Sequence, residues 1–145
     1  MFCVEVNILI TTGVFLKGNE VRLVSLDGTR AMHRVVATKV NKIAIPKAPT
    51  VEDIKTFCEA FSAYCIEHHV EQLVLNRRAT TGQGAGGAGT FILEGVLLTI
   101  TPVPLIFVHP ATLKATDKRN SELKADKPKT LDLGKAYDLA FEALV

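Results

Sequence analysis

The residues best suited to bind a ligand are the glycines between positions 82 and 89. The stretch from Thr81 to Gly89, TGQGAGGAG, contains the pattern GxGxxG twice. In dinucleotide-binding proteins this pattern lets a pyrophosphate approach the backbone amides at a helix start. Here five residues separate the first glycine from the end of the preceding predicted strand, and the next predicted strand is followed by His109 and Pro110 instead of a carboxylate. The spacing therefore disfavours a dinucleotide site.

Two other interpretations of the glycine-rich loop stay open. Backbone amides near Gly89 and Thr90, at the start of the next predicted helix, could hold an anion such as a phosphate. Alternatively, the loop is flexible and lets that helix pack closely beneath the sheet, at a cost in folding entropy. The first interpretation makes a nucleotide-binding protein one of the functions to consider.

A second group of residues suited to binding is basic. The predicted fold would bring six residues from three loops to one end of the sheet: Lys17, Arg77, Arg78, Lys114, Lys118 and Arg119. Such a rim could contact the phosphates of DNA or RNA. However, the formal net charge is only +2, and two tyrosines with no tryptophan offer little surface for base stacking. Nucleic-acid contact and simple solvation of these side chains both remain open.

Zinc chemistry and covalent catalysis find no support. The four histidines show no HExxH spacing, and no serine or cysteine lies in a GxSxG motif. The cysteines are odd in number and form no CxxC pair, which indicates reduced thiols in a cytoplasmic protein: Cys3, Cys58 and Cys65. Cys58 and Cys65 fall on the apolar face of a predicted helix, where we expect small buried hydrophobes.

The elements that must position these residues follow from turn signals and apolar periodicity. Three strands are predicted at about 4–16, 20–26 and 30–41, followed by a helix from Thr50 to near His69 with a capping box at Thr50 and Asp53. A buried strand is predicted at 72–76, a helix apolar nearly all round at 90–100, and a strand at 103–108. The segment 114–129 has no apolar period and is predicted as a loop or mobile flap, before a final helix from Thr130.

The order βββαβαβα decides the predicted architecture. Antiparallel strands followed by alternating helices and strands require a mixed, five-stranded sheet flanked by helices, the order of the ribonuclease H-like α/β fold. All 145 residues form one domain of ordinary size in this prediction. The first ten residues resemble a strand and not a signal peptide. Glu94, Gly95, Pro102 and Pro104 interrupt the apolar run 91–108, so no membrane span is expected.

Four stretches of the chain resemble an uncharacterised bacterial family within the RuvC-like branch of the ribonuclease H-like superfamily. They are GVFLKGNEVRLVSL at 13–26, VEQLVLNRRATTGQGAGGAGTFILEGVLL at 70–98, ATLKATDKRN at 111–120 and GKAYDLAFEAL at 134–144. The superfamily resemblance implies a nuclease site with carboxylates on the first strand, the fourth strand and the last helix. Two divalent metals between them would stabilise the attacking and leaving oxygens of a phosphodiester.

This sequence departs from that ligand set at two of three positions. The resemblance places Phe15 and Arg77 where the related domains carry glutamates, and only Asp138 on the last helix keeps its acid. A phenyl ring and a guanidinium supply no oxygen ligand to Mg²⁺. Arg77 could bind a phosphate in place of the metal or neutralise Asp138, and both interpretations predict that Arg77 and Asp138 approach each other.

These observations favour a domain with a degenerate metal site that associates with DNA or RNA without cleaving it and needs no cofactor. The alternative is an Mg²⁺-dependent nuclease or resolvase that uses Asp138 and Glu94, helped by Glu20 or other unusual partners. A third hypothesis is a nucleotide-binding protein that uses the glycine-rich loop. The long, apolar first predicted strand also predicts a homodimer.

Overall fold

The computed structural model describes residues 9–77, 87–101 and 103–145. Its strands are β1 Ile10–Lys17, β2 Glu20–Gly28, β3 His33–Val35, β4 Lys42–Ala44, β5 Val70–Asn76 and β6 Leu105–Val108. Its helices are α1 Val51–Glu67, α2 Ala88–Ile100, α3 Pro110–Asn120 and α4 Leu131–Glu142, with a short 3₁₀ turn at Ser121–Leu123. Among the described residues, no helix combines the length and apolar character needed to cross a membrane.

The six strands form one mixed sheet in the order β3-β2-β1-β5-β6, and β4 pairs with the other end of β2. β1 and β2 are antiparallel, joined by a tight turn in which Gly18 adopts φ +58°, a conformation that favours glycine. β1, β5 and β6 run parallel. Their carboxyl ends therefore meet at one edge of the sheet, which carries Lys17, Arg77 and the start of α3.

Helices cover both faces of this sheet. On one face, β1 and β2 pack against α1 and α2 around Val14, Phe57, Phe61 and Leu93, all with at most 1 % exposure. On the other face, α4 packs on β1 and β2, and α3 lies beside α4. The mixed sheet flanked by helices is thus as predicted.

Helix α1 begins with the predicted capping box. The Thr50 hydroxyl accepts from the Asp53 amide at 3.2 Å, and the Asp53 carboxylate accepts from the Thr50 amide at 2.9 Å. Of the two cysteines on this helix, Cys65 is buried as expected, whereas Cys58 is only half-buried. The first eight residues, which include Cys3 and the predicted start of the first strand at residue 4, lie outside the described part of the chain.

Three predicted elements differ from the structure. The predicted strand 30–41 contains only the short β3, and a further short strand, β4, follows it, which makes six strands instead of five. The predicted loop 114–129 is largely helical. Helix α3 starts at Pro110, with the His109 side chain as its N-cap. Its only buried residue is Thr116, so its sequence has no strong apolar period that would have predicted a helix. Helix α2 is covered on one face only: Phe91 and Leu98 are 42 % and 57 % exposed.

Candidate functional site

Helix α4 approaches the sheet closely because β1 carries a glycine where the two elements meet. A Cβ at Gly13 would overlap the carbonyl oxygen of Ala136 and stand 2.8 Å from the amide nitrogen of Ala140. Only glycine permits this approach. The side of α4 next to the sheet is buried, and Asp138 lies at its margin, partly buried and next to the segment that follows α3.

Both carboxylate oxygens of Asp138 are held by lysine ammonium groups. Lys124 Nζ donates to Oδ1 and Lys127 Nζ donates to Oδ2, each at 2.8 Å. Lys124 Nζ also donates to Asp117 Oδ1 at 2.8 Å, and its side chain is only 4 % exposed. This hydrogen bond is the largest influence on Asp117 and holds its pKa below the ordinary value. Two cations thus occupy the surroundings of the acid that the family resemblance assigns to a metal site.

The other two positions of the expected ligand set carry no oxygen donor. Phe15 is packed, partly buried, among apolar residues beneath α4, and Lys135 Nζ lies 5.7 Å from the centre of its ring. Arg77 follows β5 and places its guanidinium 4.2 Å from the centre of the Phe107 ring. Among the described residues, Asp138 is paired with Lys124 and Lys127 and not with Arg77, so the predicted ion pair between Arg77 and Asp138 is not formed. Lysines from the α3–α4 connection neutralise Asp138, while Arg77 stacks at the edge of the sheet.

This donor set does not fit a pair of magnesium ions. Mg²⁺ needs several oxygen ligands at close range, and the only carboxylate of the set is already paired with Lys124 and Lys127. Within residues 9–77, 87–101 and 103–145, no group of three His, Cys, Asp or Glu side chains is arranged to hold a metal ion.

The second proposed carboxylate, Glu94, lies on α2, whereas Asp138 lies on α4. These two helices cover opposite faces of the sheet, so the sheet itself separates the two acids. Glu20 pairs with Arg22 at 3.2 Å and with Lys42 at 3.7 Å at the β2 hairpin. A metal site that joins Asp138 to Glu94, as the nuclease alternative requires, is incompatible with this arrangement.

Beside Asp138 lies a cleft of about 330 Å³ between α3 and α4. Each helix contributes a stripe of residues spaced three or four apart, and the connection between the helices closes one side. Four lysines and two aspartates line it, together with apolar residues: Lys114, Lys127, Lys129, Lys135, Asp117, Asp138, Pro110, Leu113, Pro128 and Leu131. Thr130 and Gly134 complete the lining. The charges of the lining give it a net positive character.

The predicted basic rim is only partly assembled. Lys17 and Arg77 lie at the edge where the parallel strands end, and Lys17 pairs with Asp132 at 3.2 Å. Lys114 faces the cleft, whereas Lys118 and Arg119 are exposed near the far end of α3. The sixth residue, Arg78, lies outside the described residues.

Gly89 and Thr90, the predicted anion-binding positions, contact the β1–β2 turn. The Thr90 hydroxyl donates to the carbonyl oxygen of Gly18 at 2.8 Å. A Cβ at Gly89 would stand 2.9 Å from the Cα of Asn19, which is tighter than a side chain normally tolerates. This close helix packing agrees with the second interpretation of the glycine-rich loop. The remainder of that loop, residues 78–86, lies outside the described part of the chain.

Comparison with known proteins assigns the chain to a family. Residues 9–143 match the family described as protein of unknown function (DUF3010). The chain belongs to the DUF3010 family. A search of curated proteins gives no match to this family member.

Solved structures similar to this DUF3010 chain include two of RuvC from Thermus thermophilus. One is in complex with a Holliday junction substrate and shares 15 % identity, with a TM-score of 0.69 over 92 % of this chain and 91 % of RuvC. The other shares 13 % identity, with a TM-score of 0.70 over 92 % of each chain. At these identities the comparison shows a shared fold, the one that the order of elements predicts.

Two residues central to the site of this family member were missed by sequence reasoning: Lys124 and Lys127. Their spacing of three in SELKADKPKT is visible in the sequence, but the segment was predicted as a loop or mobile flap. One signal that could have found them is the excess of lysine just before the helix that carries the lone retained acid. Only the packing of α3 beside α4 shows which lysines reach Asp138.

Proposed function

We propose that this chain binds nucleic acid at the edge where the parallel strands end, and that it does so without a metal-dependent cleavage site. One observation carries the proposal: the Asp138 carboxylate is bonded to two ammonium groups at 2.8 Å each. A carboxylate that is neutralised in this way repels phosphate far less than a free one. Lysine cations would then serve where the related fold uses metal ions.

The distribution of charge at this edge supports phosphate binding. Arg77 is exposed beside Phe107 and keeps the forked donors with which guanidinium binds phosphate oxygens. Lys114 projects from the second turn of α3, which begins at the same edge, whereas Lys118 and Arg119 add exposed positive charge at the far end of that helix. RuvC, which has a similar fold, was solved with a Holliday junction substrate, so the fold is compatible with branched DNA. Cytoplasmic location and homodimer formation remain predictions from the sequence.

The test measures binding and cleavage separately. Fluorescence anisotropy would compare a four-way DNA junction, duplex DNA, single-stranded DNA and an RNA–DNA hybrid, with EDTA or with Mg²⁺ or Mn²⁺. We expect binding that weakens with salt and does not require the metal, and no cleavage products on denaturing gels. Arg77→Ala and Lys114→Ala should each weaken binding and reduce the slope against log salt by about one.

The matched control is Lys55→Ala, an exposed cation on α1 across the sheet, which should bind as the parent does. Failure to bind any of these nucleic acids would refute the proposal. Cleavage that needs Mg²⁺ or Mn²⁺ and is lost in Asp138→Ala would refute it in favour of the nuclease alternative.

A further inference from the structure

The cleft between α3 and α4 holds more cations than its own carboxylates use. Asp117 and Asp138 are paired with Lys124 and Lys127. Among the described residues, the other three cleft lysines form no ion pair: Lys114, Lys129 and Lys135. They come from three different elements, α3, the connection and α4, so the fold itself gathers them around one cavity. Such a group of unpaired ammonium ions is suited to a ligand with more than one negative charge.

The remaining surface of the cleft is apolar. Pro110 and Leu113 line it from α3, and Pro128 and Leu131 line it from the other side. A volume of about 330 Å³ lies at the lower end of the range typical of small-ligand sites, roughly 300 to 1,000 Å³. Apolar walls beside a cationic end match a nucleoside that carries a phosphate, because the sugar and base can pack against proline and leucine while the phosphate contacts the lysines.

The start of α4 adds to this electrostatic preference. Thr130 is the N-cap of α4, but its side chain makes no capping hydrogen bond to the helix. The first amides of the helix are therefore not occupied by this side chain, and the helix dipole favours an anion there. The one acid in this first turn, Asp132, pairs with Lys17 on β1, so its charge is largely compensated. This feature supports the site that the lysines define.

We infer that the α3–α4 cleft binds a phosphomonoester on a nucleoside, with the dianionic phosphate on Lys114, Lys129 and Lys135. An internal phosphodiester carries only one negative charge, and the nucleic-acid strand continues on both sides of it. It would therefore fit this cavity less well and bind the lysines more weakly. The phosphomonoester can come from the phosphorylated end of a nucleic-acid strand or from a free mononucleotide. The strand-end source rests on the proposed function; the cleft chemistry is the same for both.

The experiment compares short single-stranded DNA oligonucleotides of one sequence with a 5′-hydroxyl, a 5′-phosphate or a 3′-phosphate end. Anisotropy gives the affinities, and adenosine 5′-monophosphate and inorganic phosphate are tested as competitors and as thermal stabilisers. We expect a phosphorylated end to bind about tenfold more tightly than the hydroxyl end. Lys129→Gln and Lys135→Gln should each remove most of this preference, whereas the control Lys55→Gln should retain it. Lys55, Lys129 and Lys135 are all exposed, so the three variants should fold normally.

Each outcome separates the inference from the proposed function. Equal binding of phosphorylated and hydroxyl ends would overturn the inference and leave nucleic-acid binding intact. Stabilisation by the mononucleotide without binding of any oligonucleotide would support the cleft site with free nucleotide as the source, and would overturn nucleic-acid binding. Absence of both effects would overturn both. A preference for phosphorylated ends that persists in Lys129→Gln and Lys135→Gln would also overturn the inference, because the phosphate would then bind elsewhere.

Discussion

The ammonium group of Lys124 lies 2.8 Å from a carboxylate oxygen of Asp138, and the two side chains are only 4 % and 13 % exposed. The same ammonium lies 4.7 Å from the centre of the Phe141 ring, where a cation–π contact adds to its stabilisation. An ammonium removed from water is costly unless it is fully paired. The structure therefore gives Asp138 a role that needs no metal: it keeps Lys124 paired in a buried position.

Removal of the Asp138 charge should destabilise the fold. In Asp138→Asn, Lys124 would keep only the more exposed Asp117 as a charged partner, so we expect the free energy of unfolding to fall by about 3 kcal/mol. Urea unfolding followed by circular dichroism measures this change. Asp126→Asn, an exposed acid on the same connection, is the control and should change stability by less than about 0.5 kcal/mol. Unchanged or higher stability in Asp138→Asn would show that the Asp138 charge does not stabilise the fold, as expected of a carboxylate kept only to bind a metal. That result would contradict the role proposed for Asp138.

Acid should weaken the same cluster. The hydrogen bond from Lys124 lowers the pKa of Asp117 from its ordinary 3.8 in the folded state. Because the folded pKa is below the unfolded one, this carboxylate stabilises the fold above pH 3.8 and loses that contribution as the pH falls through the folded pKa. In Asp117→Asn, urea midpoints should be lower than the parent's near neutral pH, and the difference should shrink below about pH 4. A difference that stays constant with pH would contradict the assignment.

Two glycine-to-alanine substitutions should act in opposite directions. Gly13→Ala would drive a Cβ into the backbone of Ala136 and Ala140, and we expect a loss of about 3 kcal/mol or more, since backbone cannot move aside as a side chain can. Gly95, exposed on α2, has nothing within 4 Å of an added Cβ. Gly95→Ala should therefore stabilise the protein by about 1 kcal/mol through helix propensity. Comparable urea midpoints for the two variants would show that α4 does not depend on this close approach.

The two described cysteines should differ in reactivity. Burial raises the pKa of the Cys65 thiol to about 11, so it has almost no thiolate near neutral pH, and its side chain is shielded. Cys58 is only half-buried and lines a groove between α1 and α2. In a Cys3→Ser background, a maleimide should modify Cys58 in the native protein and both thiols after unfolding. Fast labelling of Cys65 in native Cys58→Ser would show that α1 opens readily.

Much of the fold could be predicted from local signals. The capping box at Thr50, the Gly18 turn and the apolar stripe of α4 act over a few residues, so the printed order of residues contains them directly. Helix α3 was missed because it is stabilised by its cap and by Pro110 more than by an apolar face. The strand predicted at 30–41 was too long because β-branched residues indicate an extended backbone but not where hydrogen bonding to the neighbouring strand ends.

For the candidate site, too, some features could be predicted from the sequence and others only from the tertiary structure. From its sequence alone, the chain has a ribonuclease H-like order of elements, lacks two of three expected carboxylates and retains Asp138. Which of its 17 lysines and arginines neutralise that acid was decided only by the tertiary structure. Coulomb attraction depends on distance in space and not on separation along the chain. The lysines that pair with Asp138 lie 11 and 14 residues away in sequence. They reach Asp138 because α4 packs against Gly13 and α3 lies beside α4.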